Sequence, residues 1–185
     1  MTNDFNLVMV GYGGQGIITA AEIVSSAAMK SGLEAKEAEL HGLAQRGGSL
    51  DCHIRFGKKI YSPVVTRGCA DLIIAFDALE ALRACYWANK KTTIIVNAKA
   101  FRSDLKLNEL YSRIRKFAKL QIIDADAISD KLTGDITAVN VFLVAYAIRK
   151  KLLPLKKESA WKAVQDKINP RFLDESKKVF DEAFR

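Results

Sequence analysis

FNLVMVGYGGQGIITAAEIV, residues Phe5 to Val24, decides the fold. An apolar run of Phe5, Leu7, Val8, Met9 and Val10 breaks at Gly11, and beyond Gly16 the apolar positions take helical spacing at Ile17, Ala20, Ala21 and Val24. The pattern predicts a buried strand that passes through a glycine turn into a helix. Gly11, Gly13 and Gly16 stand in G-x-G-x-x-G register. In that register the first glycine permits a tight turn, the second a close approach of backbone to ligand, and the third tight packing of helix on strand. Together with Gly14 and Gln15 they make a candidate anion-binding loop, with free N–H groups at the positive end of a helix dipole. Glu37 and Glu39 follow about 20 residues on, where a ribose-binding acid stands in a dinucleotide site. The same six-residue pattern also serves as a plain connection, and both readings stay open here.

Outward from this unit, the first helix is expected to reach Ser31 with Gly32 as its C-cap, and Leu33 to Leu40 reads as a second strand, polar for a central one. It leads into HGLAQRGGS, His41 to Ser49. In an open α/β sheet, ligands bind in the crevice beyond the carboxyl ends of the strands, and the loops after strands one and two both emerge there. His41, Gln45, Arg46, Gly47, Gly48 and Ser49 are therefore candidate crevice residues, offering an imidazole, an amide, a fixed cation and a hydroxyl to a phosphate or carboxylate. The competing reading is a connection in which Arg46 pairs with Glu37 or Glu39 and the glycines only supply positive φ.

From Leu50, LDCHIRFG alternates, with Cys52, Ile54 and Phe56 on one face and Asp51, His53 and Arg55 on the other; Gly57 and Lys58 turn it back toward Ile60 and Tyr61, an expected hairpin. ADLIIAF at Ala70 to Phe76 and TTIIVN at Thr92 to Asn97 are apolar runs of the kind a parallel sheet buries on both faces. Asp77 can cap the helix that runs through Leu82 and Arg83; Leu107 to Ala118 reads as an amphipathic helix, and Leu120 to Asp124 as the last strand. Strands alternating with helices predict a Rossmann-like, mostly parallel α/β sheet flanked by helices, with a hairpin insertion and a helical C-terminal third. That third comprises Ile136 to Leu152, Ser159 to Ile168 and Phe172 to Phe184. Ile136 to Leu152 is apolar nearly all round and needs cover on more than one side, from another chain, by self-association, or from the final helices.

At 185 residues the chain suits one domain, 1–185, with a full-sized core. No run approaches the ~20 apolar residues of a membrane helix, and MTNDFN is no secretion signal, so the expectation is a cytoplasmic protein with no membrane contact. The net charge of +8 gathers at Lys90–Lys91, Arg113 to Lys119, Arg149 to Lys151 and Lys156–Lys157 without interleaved exposed aromatics, which argues against nucleic acid. An acidic partner or an anionic co-substrate such as CoA explains it equally well. Cys52, Cys69 and Cys85 are dispersed and too few for a four-thiolate cluster, and His41 and His53 have no ligand spacing, so no metal site and only buried, reduced thiols are expected.

GYGGQGI at Gly11 to Ile17, ELHGLAQRGGS at Glu39 to Ser49, HIRFG at His53 to Gly57, YSP at Tyr61 to Pro63 and ADLIIAFDALEALR at Ala70 to Arg83 resemble the gamma domain of 2-oxoacid:ferredoxin oxidoreductases. Within that family the chain is most similar to the separate small subunit of the indolepyruvate enzymes. The resemblance implies an accessory subunit, inactive alone, of an enzyme that oxidatively decarboxylates an aryl 2-oxoacid to an acyl-CoA and reduces ferredoxin. It further implies that thiamine diphosphate and iron-sulfur clusters lie on a large partner subunit. Gly134–Asp135 is followed by Ile136 and not by the rest of a G-D-G…N-N thiamine motif, which agrees. No catalytic residue is assigned to this chain. The alternative is a stand-alone nucleotide-binding module, a small dehydrogenase or sensor, with Glu39 as ribose ligand.

Overall fold

The computed structural model describes residues 4–41, 47–101 and 103–185. Phe5–Tyr12 forms β1, the turn follows, and Ile17–Lys30 forms α1. The helix ends where the sequence says it should: Gly32, at φ 80°, takes the left-handed position that a side chain would strain. Glu34–His41 is β2, Ser49–Gly57 is β3, Leu72–Ala75 is β4 and Ala78–Ala84 is α2. Thr93–Asn97 is β5, Leu107–Ile114 is α3, Lys119–Ile123 is β6 and Ala125–Thr133 is α4. Val139–Arg149 (α5), Lys157–Lys167 (α6) and Leu173–Ala183 (α7) complete the chain.

The sheet order is β2-β3-β1-β4-β5-β6. β1, β4, β5 and β6 run parallel, while β3 is antiparallel to both β1 and β2. The hairpin is thus β2 with β3, and the expected return of β3 onto Ile60 and Tyr61 does not occur. Residues 58–69 instead cross the face of the sheet irregularly, with the Val65 amide donating to His53 Nδ1 at 3.0 Å. The polar character of β2 has a simple cause, since it is an edge strand whose Glu34, Glu37 and Glu39 are exposed.

Two antiparallel steps leave β2 running the same way as β1, so the loops after both strands emerge at one edge of the sheet. Leu7, Met9, Ile54, Leu72 and Ile74 point to the face covered by α1 and α4–α7; Val8, Val10, Ile73 and Val96 point to the face covered by α2 and α3. α5 lies largely inside the first of these cores, with Leu143 and Ala145 fully buried, Tyr146 partly buried and Arg149 exposed. Of the covers the sequence leaves open, the one found is that from this chain's own helices. Helix α4 was not foreseen, because ADAISDKLT offers only Ile128 and Leu132 as an apolar stripe. Among the described residues no helix is long and apolar enough to cross a membrane.

Candidate functional site

The glycine turn is braced from within. Gln15 Oε1 accepts the Tyr12 amide at 2.7 Å and the Gln15 backbone amide donates to the Tyr12 carbonyl at 3.2 Å, so Gln15 shapes the turn. A Cβ on Gly11 would lie 2.4 Å from that same Oε1 and 2.9 Å from Phe76 Cβ, which is why the first glycine has no substitute. Gly16 caps α1 at φ 76°, and a Cβ there would lie 2.7 Å from Asn140 Nδ2, the amide that donates to the Gly16 carbonyl at 3.3 Å. The third glycine therefore allows α5, and not only the strand, to approach.

The two predicted loops do meet. The Gly13 amide donates to the Gly48 carbonyl at 2.9 Å, and the Gly47 amide to the Gly13 carbonyl at 3.2 Å. The loops are clasped by backbone, as in a short stretch of ladder. One expectation is corrected by this: the Gly13 N–H is not free for an anion. His41 closes β2 by its backbone, and Gln45 and Arg46 lie outside the described residues.

The start of α1, with no side-chain cap and no acid in its first turn, divides two hollows. The one on the β2–β3 side, of about 540 Å³, is lined by Gly13, Ile18, Glu39, Gly48 and Ser49. Glu39 thus faces the crevice, whereas Glu37 is taken by the Ser25 hydroxyl at 2.8 Å. The other, of about 700 Å³, opens between Gly14, Lys99, Asp126, Asn140 and Lys167. Its cations are answered by carboxylates: Lys99 pairs with Asp126 at 2.6 Å and Lys167 with Glu22 at 3.9 Å. Mixed charge of this kind suits a polar protein segment as well as a ligand anion.

Beneath the crevice lies a cluster that sequence reasoning did not assign. Asp77 caps α2 as foreseen, accepting the Leu79 amide at 2.8 Å and the Glu80 amide at 3.3 Å, and it also takes the Phe101 amide at 2.5 Å. Glu80, 1% exposed, accepts the Ser49 hydroxyl and an Arg83 guanidinium N–H, each at 2.6 Å. Burial, then the Glu80 charge, pushes the Asp51 carboxyl up to about 6 against the opposing pull of Arg83. Burial and the neighbouring Glu80 carboxylate push the Tyr12 phenol up to about 12. Glu80 stands three residues after Asp77, a spacing that reads as an ordinary helix start, so the sequence carried no separate signal for it.

Cys52 and Cys85 are buried, their thiols pushed up to about 12 and about 11 chiefly by burial, but Cys69 is on the surface, contrary to expectation. Cys52 and Cys85 belong to opposite faces of the sheet, so the three thiols cannot converge on a cluster. Gly134 is the C-cap of α4, and Asp135 Oδ1 accepts the amides of Ile136 and Thr137. Among the described residues no group of three or more His, Cys, Asp or Glu could hold a metal ion.

A profile of the family described as pyruvate ferredoxin/flavodoxin oxidoreductase matches residues 6–185. The chain belongs to this family. Among its relatives, the indolepyruvate oxidoreductase subunit IorB of Archaeoglobus fulgidus is 34% identical over 91% of this chain and 88% of its own length. The subunit of the same name from Methanothermobacter thermautotrophicus is 31% identical over 98% and 96%. The gamma subunit of a keto/oxoacid ferredoxin oxidoreductase from Geobacter sulfurreducens superposes with a TM-score of 0.76 at 18% identity, over 97% of this chain and 96% of its own. The Magnetococcus marinus 2-oxoglutarate:ferredoxin oxidoreductase, solved with 2-oxoglutarate, coenzyme A and succinyl-CoA, gives 0.79 at 16% identity over 99% of this chain but 31% of its own. This family member is accordingly a small subunit of a 2-oxoacid:ferredoxin oxidoreductase, and in the larger structure the same fold is one portion of a longer polypeptide.

Proposed function

We propose that residues 1–185 act as one domain, the cytoplasmic small subunit of an indolepyruvate or aryl-pyruvate oxidoreductase. The reaction would be oxidative decarboxylation to an acyl-CoA with ferredoxin as acceptor. What supports the aryl-pyruvate reading is the identity to subunits named for indolepyruvate. Decarboxylation of a 2-oxoacid requires an electron sink such as the thiamine ylid, and electron transfer to ferredoxin a redox centre. In this reading both groups lie on a large partner subunit. What this chain would contribute is one edge: the turn of Gly11, Gly13, Gly14, Gln15 and Gly16, joined at Gly13 to Gly47 and Gly48 with Ser49 beside them, and His41, Gln45 and Arg46 as further candidate residues. In this reading the clasped edge closes over the partner's active site and excludes water from it. CoA is the candidate anion for the hollows beside α1. Neither nucleic acid nor a membrane has a part in the proposal.

The single observation that carries the site is the pair of backbone bonds between Gly13 and the Gly47–Gly48 loop, which makes one surface of two loops. The nucleotide-binding alternative keeps one observation in its favour, Glu39 in the smaller hollow, and has one against it, the engaged Gly13 N–H. Reconstitution separates them. The chain alone should turn over no aryl 2-oxoacid and bind no NAD(H), and turnover should appear at a fixed ratio of this chain to the large subunit. Stoichiometric NAD(H) binding by the isolated chain, or a large subunit equally active without it, would overturn the subunit reading.

A further inference from the structure

A carboxylate that leaves water must be paired and hydrogen-bonded, or it destabilises the fold. Glu80 is such a group. At the third position of α2 a glutamate commonly closes a capping box by bonding back to the N-cap amide. Here Asp77 alone caps the helix start, and Glu80 turns away, one oxygen to Arg83 and the other to Ser49. Ser49 opens β3 opposite Tyr12, and the two residues before it make the backbone bonds to Gly13. A continuous chain of contacts thus runs from Arg83 through Glu80 and Ser49 to the Gly47–Gly48 loop and the glycine turn. Ser49 itself is exposed, so the buried end of this chain is what is fixed and the loop is what is held.

We infer that Glu80 is the positioning residue of the crevice: through the Ser49 hydroxyl it fixes the Gly47–Gly48 loop against Gly13 and so sets the surface that partner or ligand meets. The functional half of this rests on the subunit reading above. The charged and titratable groups around Glu80 are Tyr12 from β1, Asp51 from β3, and Asp77 and Arg83 from α2. Arg83 is the one cation among these, and its guanidinium is largely exposed. The carboxylate is therefore held by Arg83 and Ser49 with the Tyr12 phenol also in hydrogen-bond contact, and of these only Ser49 leads to the Gly47–Gly48 loop, so that loss of the Ser49 hydroxyl should loosen it.

Amide hydrogen exchange on the full chain reads the contact directly. In Ser49→Ala and in Glu80→Gln the Gly13 and Gly47 amides should exchange faster by roughly tenfold, the effect of one hydrogen bond to a charged acceptor. The double variant should add little beyond Ser49→Ala, because Ser49→Ala removes the donor of the same contact that Glu80→Gln weakens by taking the charge from its acceptor. In the reconstituted two-subunit enzyme the same variants should lower kcat by similar factors, again without additivity, while amides of β4 and β5 keep their protection. Unchanged exchange at Gly13 and Gly47 would overturn the inference, as would additive effects or loosened amides with full turnover. If Glu80→Gln failed to fold, Ser49→Ala would decide from the exposed side of the bond. A large subunit that works without this chain would sink the subunit reading only, since the exchange measurement does not depend on it.

Discussion

On one face of the sheet Leu7, Met9, Ile54, Leu72 and Ile74 meet α1 and α4–α7 in a core whose buried polar groups, Ser25, Ser26, Ser129, Asn140 and Ser176, are all uncharged; on the other, Val8, Val10, Ile73 and Val96 share their cover with the ionisable Asp51, His53, Asp77 and Glu80. Apolar burial contributes roughly 25 cal/mol per Å² and demands no partner geometry, so the first face can hold the fold while tolerating redesign. Buried polar groups demand their partners, so the second face is fixed in detail wherever Asp77 and Glu80 find theirs. The candidate site grows from the edge where the second kind of packing ends. Stability should therefore be sensitive to the first face and loop geometry to the second.

The largest effect expected from this contrast is at the centre of α5. Leu143→Ala, at a fully buried position, should destabilise the chain by about 2–5 kcal/mol in urea unfolding, against a much smaller loss for Glu80→Gln. Comparable losses would erase the distinction between the faces. Next is Gly16→Val, where the left-handed backbone alone should cost about 1–3 kcal/mol and the side chain must also displace Asn140. Asn140→Ala in the same chain should recover the steric part but not the backbone part, and a complete rescue would refute the strain.

A smaller effect is a pH dependence confined to the polar face. Burial lowers the His53 pKa, and its Nδ1 accepts a backbone amide, so the folded state prefers the neutral ring. Stability from this group is present above the unfolded value of about 6.5 and falls as pH drops below it. Asp51 has the opposite sign: its pKa rises from 3.8 unfolded to about 6 folded, so its contribution is present below 3.8 and is lost as pH climbs to about 6. Asp51→Asn should match the wild-type urea midpoint near pH 4 and exceed it at pH 7; equal midpoints at both pH values would contradict the burial of Asp51. The smallest effect is expected outside both faces, at the Lys30–Asp166 pair of 2.6 Å between α1 and α6, where Lys30→Ala should change stability by at most about 1 kcal/mol.

Much of the first half was legible in the sequence because its signals are local. The change from an apolar run to helical spacing across Gly11–Gly16, the Asp77 cap and the apolar runs of β4 and the centre of β5 each depend on neighbours within a few residues. The meeting of the two loops was also legible, since it follows once β2 runs parallel to β1. The partner of β3 was not: alternation in LDCHIRFG identifies a strand and its two faces but not which strand lies beside it. Nor was the cover of α5, because an all-apolar helix states that it is buried and not by which chain.

By itself, then, the sequence determined the strand–turn–helix unit, the α/β class and the positions where only glycine serves, all properties of short segments under steric and periodic rules. Tertiary structure alone decided that β3 would stand between β1 and β2, that the Gly13 amide would bond to Gly48 and not wait for an anion, and that Glu80 would reach Ser49 across 31 positions of chain. The reason is physical: a buried donor or carboxylate takes whichever partner the folded chain brings within about 3 Å, and that choice belongs to the packing of the whole molecule rather than to any one stretch.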